Sequence, residues 1–391
     1  MSILIQPYPH VYTCYNSRAI LFLNTITKKL FHFSTYQLEY KIDRGVVLIL
    51  HVNKELANSI RSEIVANDIG YISEGNRHTF YSIDAYSEHK KSYIESLTQG
   101  INFGNDNTNS YLFGLNVLFN TSELLYEHGA FTRDDEIDLC VIGDFLTRTT
   151  FPNLNTISLI GVEMLNSINL HTFVKQFHQK FNLRMIVPYS TYMMQLSIVR
   201  KSFRHIKFQL VCDDMYRQDL NKLLNLPKEL QNNISVIYPF SGSSDIKYVA
   251  QIKKSHLKLH IEPMYQNNYD FLYKYISYDE NDILSANLSM NDILRRDLIN
   301  EFFFGQLRIQ NNGSVYVNPL LPPLGSLQKH DVSEIIAQAS VQCESWLYSR
   351  NRFNPCKECN YKNLCPPLSM VELESKRVLP SSQYVINLLA L

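Results

Sequence analysis

Apolar residues recur along the chain in two periods, and the switch between them divides it into regions. The first stretch alternates. HVYTCYN (10–16), AILFLNT (19–25) and KLFHF (29–33) read as three strands, with Asn24 to Lys28 connecting the second and third. Ser34 followed by Gln37 matches a capping box, so a short helix is expected to run on from there toward Gly45. Asn53 is placed to cap a second helix over Lys54–Ala66, with Gly70 just beyond its end. Three strands followed by helices is the order of a small winged-helix-like module, spanning residues 1–95. The polar run GINFGNDNTNS (100–110) reads as a linker and closes a connecting segment over 96–110.

Between 111 and 304 the periods alternate. Extended apolar runs are YLFGLNVLF (111–119), IDLCVIG (137–143), TISLIG (156–161), LRMIVPY (183–189), KFQLVCD (207–213), SVIYPF (235–240) and LKLHIEP (257–263). Helical faces lie between several of them. The clearest covers Leu170–Phe181, where Leu170, Phe173, Val174, Phe177 and Phe181 fall on one side. Tyr192–Phe203, Asp219–Leu226 and Asp245–Ser255 read the same way. From 156 onward strands start about every 22–28 residues, a β/α repeat that right-handed crossovers turn into a parallel sheet or partial barrel. The repeat stops near 305. QLRIQNNGSVYV (306–317) is a hairpin around Asn311-Asn312-Gly313, a Pro-rich loop covers Asn318–Gly325, and a helix is expected near Asp331–Ala339.

Charge and composition narrow the functions this frame can serve. Lys and Arg total 37 and Asp and Glu total 37, so no electrostatic case exists for nucleic acid or an anionic membrane. No run reaches the roughly 18 apolar residues of a membrane span, and MSILIQPYPH has no basic secretory n-region. A cytoplasmic protein is the expectation. With 13 Gly in the chain, and no Gly-x4-Gly-Lys-Ser/Thr, Gly-x-Ser-x-Gly or His-Glu-x2-His, the common phosphate, hydrolase and zinc-protease signatures are absent. His10, His32 and His51 are scattered through strand-like runs and read as packing or edge residues. Asp213-Asp214 and Glu262-Pro263 end strands where barrel sites form, although capping and solvation explain them equally well.

Seven cysteines are present, and three of them cluster in NPCKECNYKNLCPP (354–367). Cys356-x2-Cys359-x5-Cys365 has metal-ligand spacing: a Cys-x2-Cys turn brings two thiolates onto one ion, and the third can occupy another corner. Soft thiolates select zinc or an iron–sulfur cluster, so Zn or a [4Fe-4S] cluster is the expected occupant. The fourth ligand is open. Cys343 can return to the site from a neighbouring helix, His330 and Glu358 are poorer choices, and an open corner is the third option. Cys14, Cys140 and Cys212 stand alone in strand-like runs and read as small buried hydrophobes.

The layout resembles the pseudo-radical-SAM proteins of Bacteroidales peptide-modification systems, relatives of the radical-SAM/SPASM peptide maturases. Cys356, Cys359, Tyr361, Cys365, Pro366 and Pro367 match the Pro-Cys-x2-Cys-x-Tyr-x3-Cys-Pro-Pro of their C-terminal segment. Gly313 to Asn318 has the spacing of the SPASM Gly-x4-Cys, with Asn318 in place of the cysteine. Gly161-Val162-Glu163-Met164 stands where the family's second barrel strand ends in Gly-Gly-Glu-Pro. Two departures matter most. The family's Cys-x3-Cys-x2-Cys should follow the first barrel strand, but LFNTSELLYEHGAF (118–131) contains no cysteine. Val162 replaces the glycine that lets SAM approach. Further SPASM cysteines are missing at Asn318 and Ser369.

The resemblance therefore implies an α/β chain with a degenerate partial (β/α)6 radical-SAM-like barrel over 111–304. A winged-helix-like precursor-peptide recognition element would precede it over 1–95, with the Cys14–Phe33 region offering a sheet edge. A SPASM-like segment would follow over 305–391. It implies a pseudoenzyme without a SAM cluster: a partner or scaffold that binds a precursor (leader) peptide, a true radical-SAM maturase, or both. Two other roles remain open at this point, an Fe–S electron-relay subunit and a zinc-stabilised assembly protein without peptide contact.

Overall fold

The computed structural model describes residues 1–16, 18–36, 38–43, 46–74, 112–119, 138–148, 151–161, 164–167, 169–212, 228–253, 257–276, 280–318, 321–331, 334–335, 338 and 346–375. The expected linker, Val162, Glu163, Asp213, Asp214, Cys343 and the helix expected over Asp219–Leu226 lie outside these residues.

The N-terminal region holds two antiparallel sheets. β2 (Val11–Tyr15), β3 (Ala19–Asn24) and β4 (Leu30–Ser34) pair in chain order and are the three strands expected from alternation. A second sheet has the order β5-β6-β1-β7, from β1 (Ile3–Pro7), β5 (Glu39–Asp43), β6 (Val46–Leu50) and β7 (Gly70–Glu74). The helix expected after Ser34 is therefore strand instead. Ser34 Oγ accepts from the Tyr36 amide at 3.2 Å, and Leu38 N–H donates to Thr35 O at 3.0 Å, so the chain turns at Thr35 and Tyr36 ahead of β5. The helix α1 (Lys54–Ala66) forms as expected, with Asn53 Oδ1 accepting from Leu56 N–H.

The three-stranded sheet is buried on both faces, which alternation alone cannot reveal. Val11, Ile20 and Phe22 face Ile3, Ile5, Val47, Ile49 and the Ile60/Ile64 side of α1. Tyr12, Cys14, Leu21 and Leu23 face the other way, onto Ile283, Leu288, Ile293, Leu364 and Cys365 from the far end of the chain. The sheet thus joins the N-terminal core to the cysteine segment.

A nine-stranded sheet forms the body, in the order β13-β12-β11-β10-β9-β8-β14-β15-β16. Its strands are β8 (Gly114–Phe119), β9 (Thr156–Gly161), β10 (Asn182–Pro188), β11 (Lys207–Val211), β12 (Ile234–Phe240), β13 (Lys258–Pro263), β14 (Gln306–Ile309), β15 (Ser314–Tyr316) and β16 (Gly325–Ser326). Strands β8 to β13 run parallel and β14 adds parallel to β8. The expected hairpin is β14–β15, with Arg308 opposite Tyr316. One expected strand, IDLCVIG (137–143), is instead the start of helix α2 (Leu139–Arg148). Leu139, Ile142, Phe145 and Leu146 repeat at helical spacing and are all buried, and Asp138 Oδ1 accepts from Cys140 N–H at its start.

Helices cover one face of this sheet. α3 (Leu170–Phe177) buries Leu170, Phe173, Val174 and Phe177 against it, and α4 (Tyr189–Met194), α5 (Leu196–Ser202), α6 (Lys228–Gln231), α7 (Asp245–Lys253) and α8 (Tyr269–Ile276) follow successive strands. The core there takes alternate strand residues: Leu115, Val117 and Phe119, then Ile157 and Leu159, then Leu183, Met185 and Val187. The intervening residues point to the opposite face, which carries no helix among the described residues. There Leu118, Ile160, Ile186, Val211 and Ile237 make a separate apolar belt across five strands. α9 (Glu280–Ser285) and α10 (Met290–Leu298) lead from the parallel sheet to the C-terminal segment, whose last described element is α11 (Met370–Ser375).

Candidate functional site

The cysteine segment is organised by one arginine. Cys356–Glu358 forms a short 3₁₀ turn, closed by Cys359 N–H donating to Cys356 O at 2.8 Å. Tyr361 N–H donates to Cys359 Sγ at 3.4 Å, and Cys365 N–H donates to Tyr361 O at 2.9 Å. Arg350 and Glu372 beneath this loop are 2 % and 4 % exposed, so their charges must be matched within the protein. Arg350 Nη1 and Nη2 reach the two Glu372 oxygens at 2.9 and 3.2 Å. Nε donates to Pro366 O at 2.6 Å, and Nη1 donates to Cys356 Sγ at 3.5 Å. Glu372 also accepts from Ser369 N–H and Oγ, which starts α11. Burial alone would lower the Arg350 pKa, but Glu372 and the Cys365 and Cys356 sulfurs outweigh it and hold the guanidinium charged. Burial pushes the Cys356 thiol up against the opposing pull of Arg350.

The structure gathers Cys356, Cys359 and Cys365 into one loop and adds an unexpected neighbour. Cys14 is buried, packs in the same apolar cluster as Cys365, and senses Cys359 and Lys362 through space. Burial is the main reason its thiol pKa is raised. Asn16 Nδ2 donates to Glu358 O at 2.7 Å and Asn360 Nδ2 to Ala19 O at 3.0 Å, fixing β2 and β3 to the segment. The sequence carries no signal for this contact, because 342 residues separate Asn16 from Glu358. Of the lone cysteines, Cys14 is buried as expected, Cys212 is half-buried, and Cys140 is exposed on α2. Among the described residues no three Cys, His, Asp or Glu side chains converge closely enough to hold an ion.

The second candidate lies on the face of the parallel sheet opposite the covering helices. Glu262, at the end of β13, has its carboxyl pKa raised to about 7 by burial, with Arg308 pulling the other way. Glu262 is on the first strand of the sheet order and Arg308 on the seventh. In a flat sheet six steps of about 4.8 Å would separate them by nearly 30 Å, well beyond screened range. Their interaction requires the sheet to curl so that β13 and β14 face each other, the geometry of a partial barrel. His260, two residues before Glu262, has its pKa lowered first by burial and then by Lys258 and Arg184. Arg184 lies three strands away on β10, so it too faces β13 across the curl.

Gly161 ends β9 beside the end of β8. Its φ is +154°, and a Cβ there would lie 1.7 Å from Phe119 O, so the two strand ends approach more closely than any side chain allows. Asn318, expected at the position of a missing cysteine, is 2 % exposed.

No protein-family model matches the chain, and no curated protein matches its sequence. Solved structures of SuiB from Streptococcus suis resemble it at low scores. SuiB alone gives a TM-score of 0.42 at 10% identity, covering 96% of this chain and 97% of that one. SuiB bound to its precursor peptide SuiA gives 0.40 at 10% identity, covering 96% and 98%. SuiB bound to S-adenosylmethionine gives 0.38 at 12% identity, covering 97% and 98%. These values are too low to transfer residues or chemistry. Among the described residues, no helix is long and apolar enough to cross a membrane.

Proposed function

We propose that this chain is a non-catalytic subunit of ribosomal-peptide maturation, holding a precursor peptide and docking a radical-SAM maturase. One observation carries the reading. The stretch from the end of β8 onward, LFNTSELLYEHGAF (118–131), lacks the three thiolates that a SAM-cleaving cluster needs, in a chain whose Cys356 to Pro367 segment has the family's spacing. The curled parallel sheet and the fused N-terminal sheets support it as a scaffold. Among the described residues β4 pairs only with β3, so its outer edge offers backbone groups to an extended peptide.

The test uses proline at two neighbouring positions. On an edge strand, successive residues alternate between bonding the partner strand and pointing outward. His32→Pro and Phe33→Pro are made separately and titrated with the precursor peptide of the chain's own gene neighbourhood. One of them should lose at least about tenfold in affinity while keeping the wild-type circular dichroism spectrum. Full affinity in both would remove the edge. SAM turnover by the isolated protein would remove the non-catalytic assignment.

Metal loading at Cys356, Cys359 and Cys365 is a separate proposal, favoured by their Cys-x2-Cys-x5-Cys spacing in one loop. Metal and acid-labile sulfide are measured on anaerobically purified protein. One zinc per chain supports a structural clip, iron with matching sulfide supports electron relay, and neither overturns both.

A further inference from the structure

Two histidines outside both candidate sites meet on the helical layer. His178 caps the C-terminus of α3, and His205 lies in the connection between α5 and β11. Their ring centroids are 5.0 Å apart, with the planes tilted by 60°. His178 Nδ1 lies 2.9 Å from Val174 O. A carbonyl oxygen only accepts, so Nδ1 carries the hydrogen, and Nε2 keeps its lone pair in the neutral ring. Metal-binding imidazoles are held in this way, with one nitrogen oriented by a backbone carbonyl and the other free.

The backbone of His205 is pinned as well. Ile206 N–H donates to Phe203 O at 2.9 Å, closing a turn with Arg204 and His205 at its centre. Phe203 and Ile206 are buried and anchor its two ends, and Arg204 O accepts from Asn233 Nδ2 at 2.8 Å. A second ring contact, His171 against Phe203 with centroids 6.3 Å apart, lays this connection along α3. At metal–nitrogen distances of about 2.0–2.1 Å, two imidazoles on neighbouring corners of one ion place their centroids roughly 4.5–5.3 Å apart. The observed 5.0 Å falls inside that range. Loss of water around the His205 ring, then His178 and Arg204, hold its pKa below the usual value, so a proton does not compete for its nitrogen at neutral pH. His205 is exposed and His178 half-buried, so an ion reaches both from solvent. Arg204 is the neighbouring charge that opposes a cation, while Lys180 lies over the Phe181 ring, its Nζ 5.4 Å from the centroid.

We propose that His178 and His205 together chelate one divalent transition-metal ion of the imidazole-preferring class, zinc, nickel or copper, with water on its remaining positions. The ion ties the end of α3 to the turn before β11 and so stabilises the outer helical layer. Two protein ligands and the nearby Arg204 charge make the binding reversible, since no third metal-binding side chain joins them among the described residues. The site is separate from the cysteine loop and requires no peptide, so it stands apart from the proposed function.

The test uses the untagged full-length chain with Ni²⁺, and Mg²⁺ as the oxygen-preferring control. The chain has 12 histidines. Paramagnetic Ni²⁺ at a substoichiometric ratio should broaden the ring NMR signals of His178 and His205 ahead of the others, and Mg²⁺ should not. Equilibrium dialysis is run on Cys359→Ser, which weakens any contribution from the cysteine loop. Adding His178→Asn or His205→Asn to it should lower Ni²⁺ affinity at least about tenfold, the cost of one lost ligand. The rise in melting temperature caused by Ni²⁺ should shrink in either variant and persist in His171→Asn. Broadening spread evenly over the histidines, or unchanged affinity in both site variants, overturns the proposal. If Cys359→Ser alone abolishes Ni²⁺ binding, the ion sits on the cysteine loop, and the proposal falls while the metal-loading reading of that loop gains. Should a site variant fail to fold, the broadening pattern of the wild type decides.

Discussion

Two of the molecule's Arg–Glu pairs look alike as chemistry and differ as structure. Arg350 and Glu372 touch at two points, are sealed from water, and also bond Pro366 O, Cys356 Sγ and Ser369. Arg308 and Glu262 act on each other across the open side of a curled sheet, and desolvation outweighs the attraction at Glu262. Besides bonding each other, the first pair holds the backbone at Pro366 and Ser369 and the Cys356 sulfur, so it works as a clip. The second leaves a carboxyl whose pKa burial raises to about 7, the kind of perturbation that clusters at functional sites.

The largest expected effect breaks the first pair. Arg350→Met should cost about 3–5 kcal/mol, because Glu372 is left charged and buried. The double variant Arg350→Met with Glu372→Leu should recover a large part of that, since it removes both charges. Denaturant unfolding checks both. A loss below about 1 kcal/mol in Arg350→Met would deny the clip.

Next in size is the barrel mouth. Gly161→Ala places a methyl where Phe119 O stands, at a φ that side chains avoid, and should cost about 2–4 kcal/mol. Thermal unfolding measures it. Near-wild-type stability would mean that β8 and β9 separate easily at their ends.

The Glu262 pair has a pH signature that the clip lacks. Its carboxyl rises from an ordinary 4.5 to about 7 on folding, so the folded state holds the proton more tightly. The stability this gives is complete below pH 4.5 and is lost as pH rises through 7. Wild type should therefore lose roughly 1–3 kcal/mol across that window, relative to Glu262→Gln, whose curve should be flatter there. Parallel curves would mean that Glu262 is solvated.

Most of the barrel was legible because buried parallel strands and the amphipathic helices between them each impose a period on the chain. Five of the seven expected parallel runs lie from 156 onward, and each forms a strand there; TISLIG matches its strand residue for residue. IDLCVIG misled because a short apolar run fits either period, and only its continuation to Phe145 and Leu146 reveals the helix. Ser34 to Gln37 misled because a capping box needs a helix to cap, and tertiary pairing with β6 claims the next residues as strand. The cysteine loop was legible from spacing. Its contact with Cys14 was not, since nothing local in HVYTCYN says what lies over its second face.

The smallest effect tests whether the cysteine loop and the N-terminal sheet form one unit. Asn16 and Asn360 each donate one side-chain hydrogen bond across that boundary. Removing either by alanine should cost about 0.5–1.5 kcal/mol, the net worth of such a bond. The informative readout is local opening. Tyr12, Cys14, Leu21 and Leu23 share a core with Leu364 and Cys365, so hydrogen exchange in β2 and β3 should rise together with exchange at 356–365. If exchange rises on one side only, the boundary is a contact between independent parts, and the Arg350–Glu372 clip supports the loop without help from the sheet.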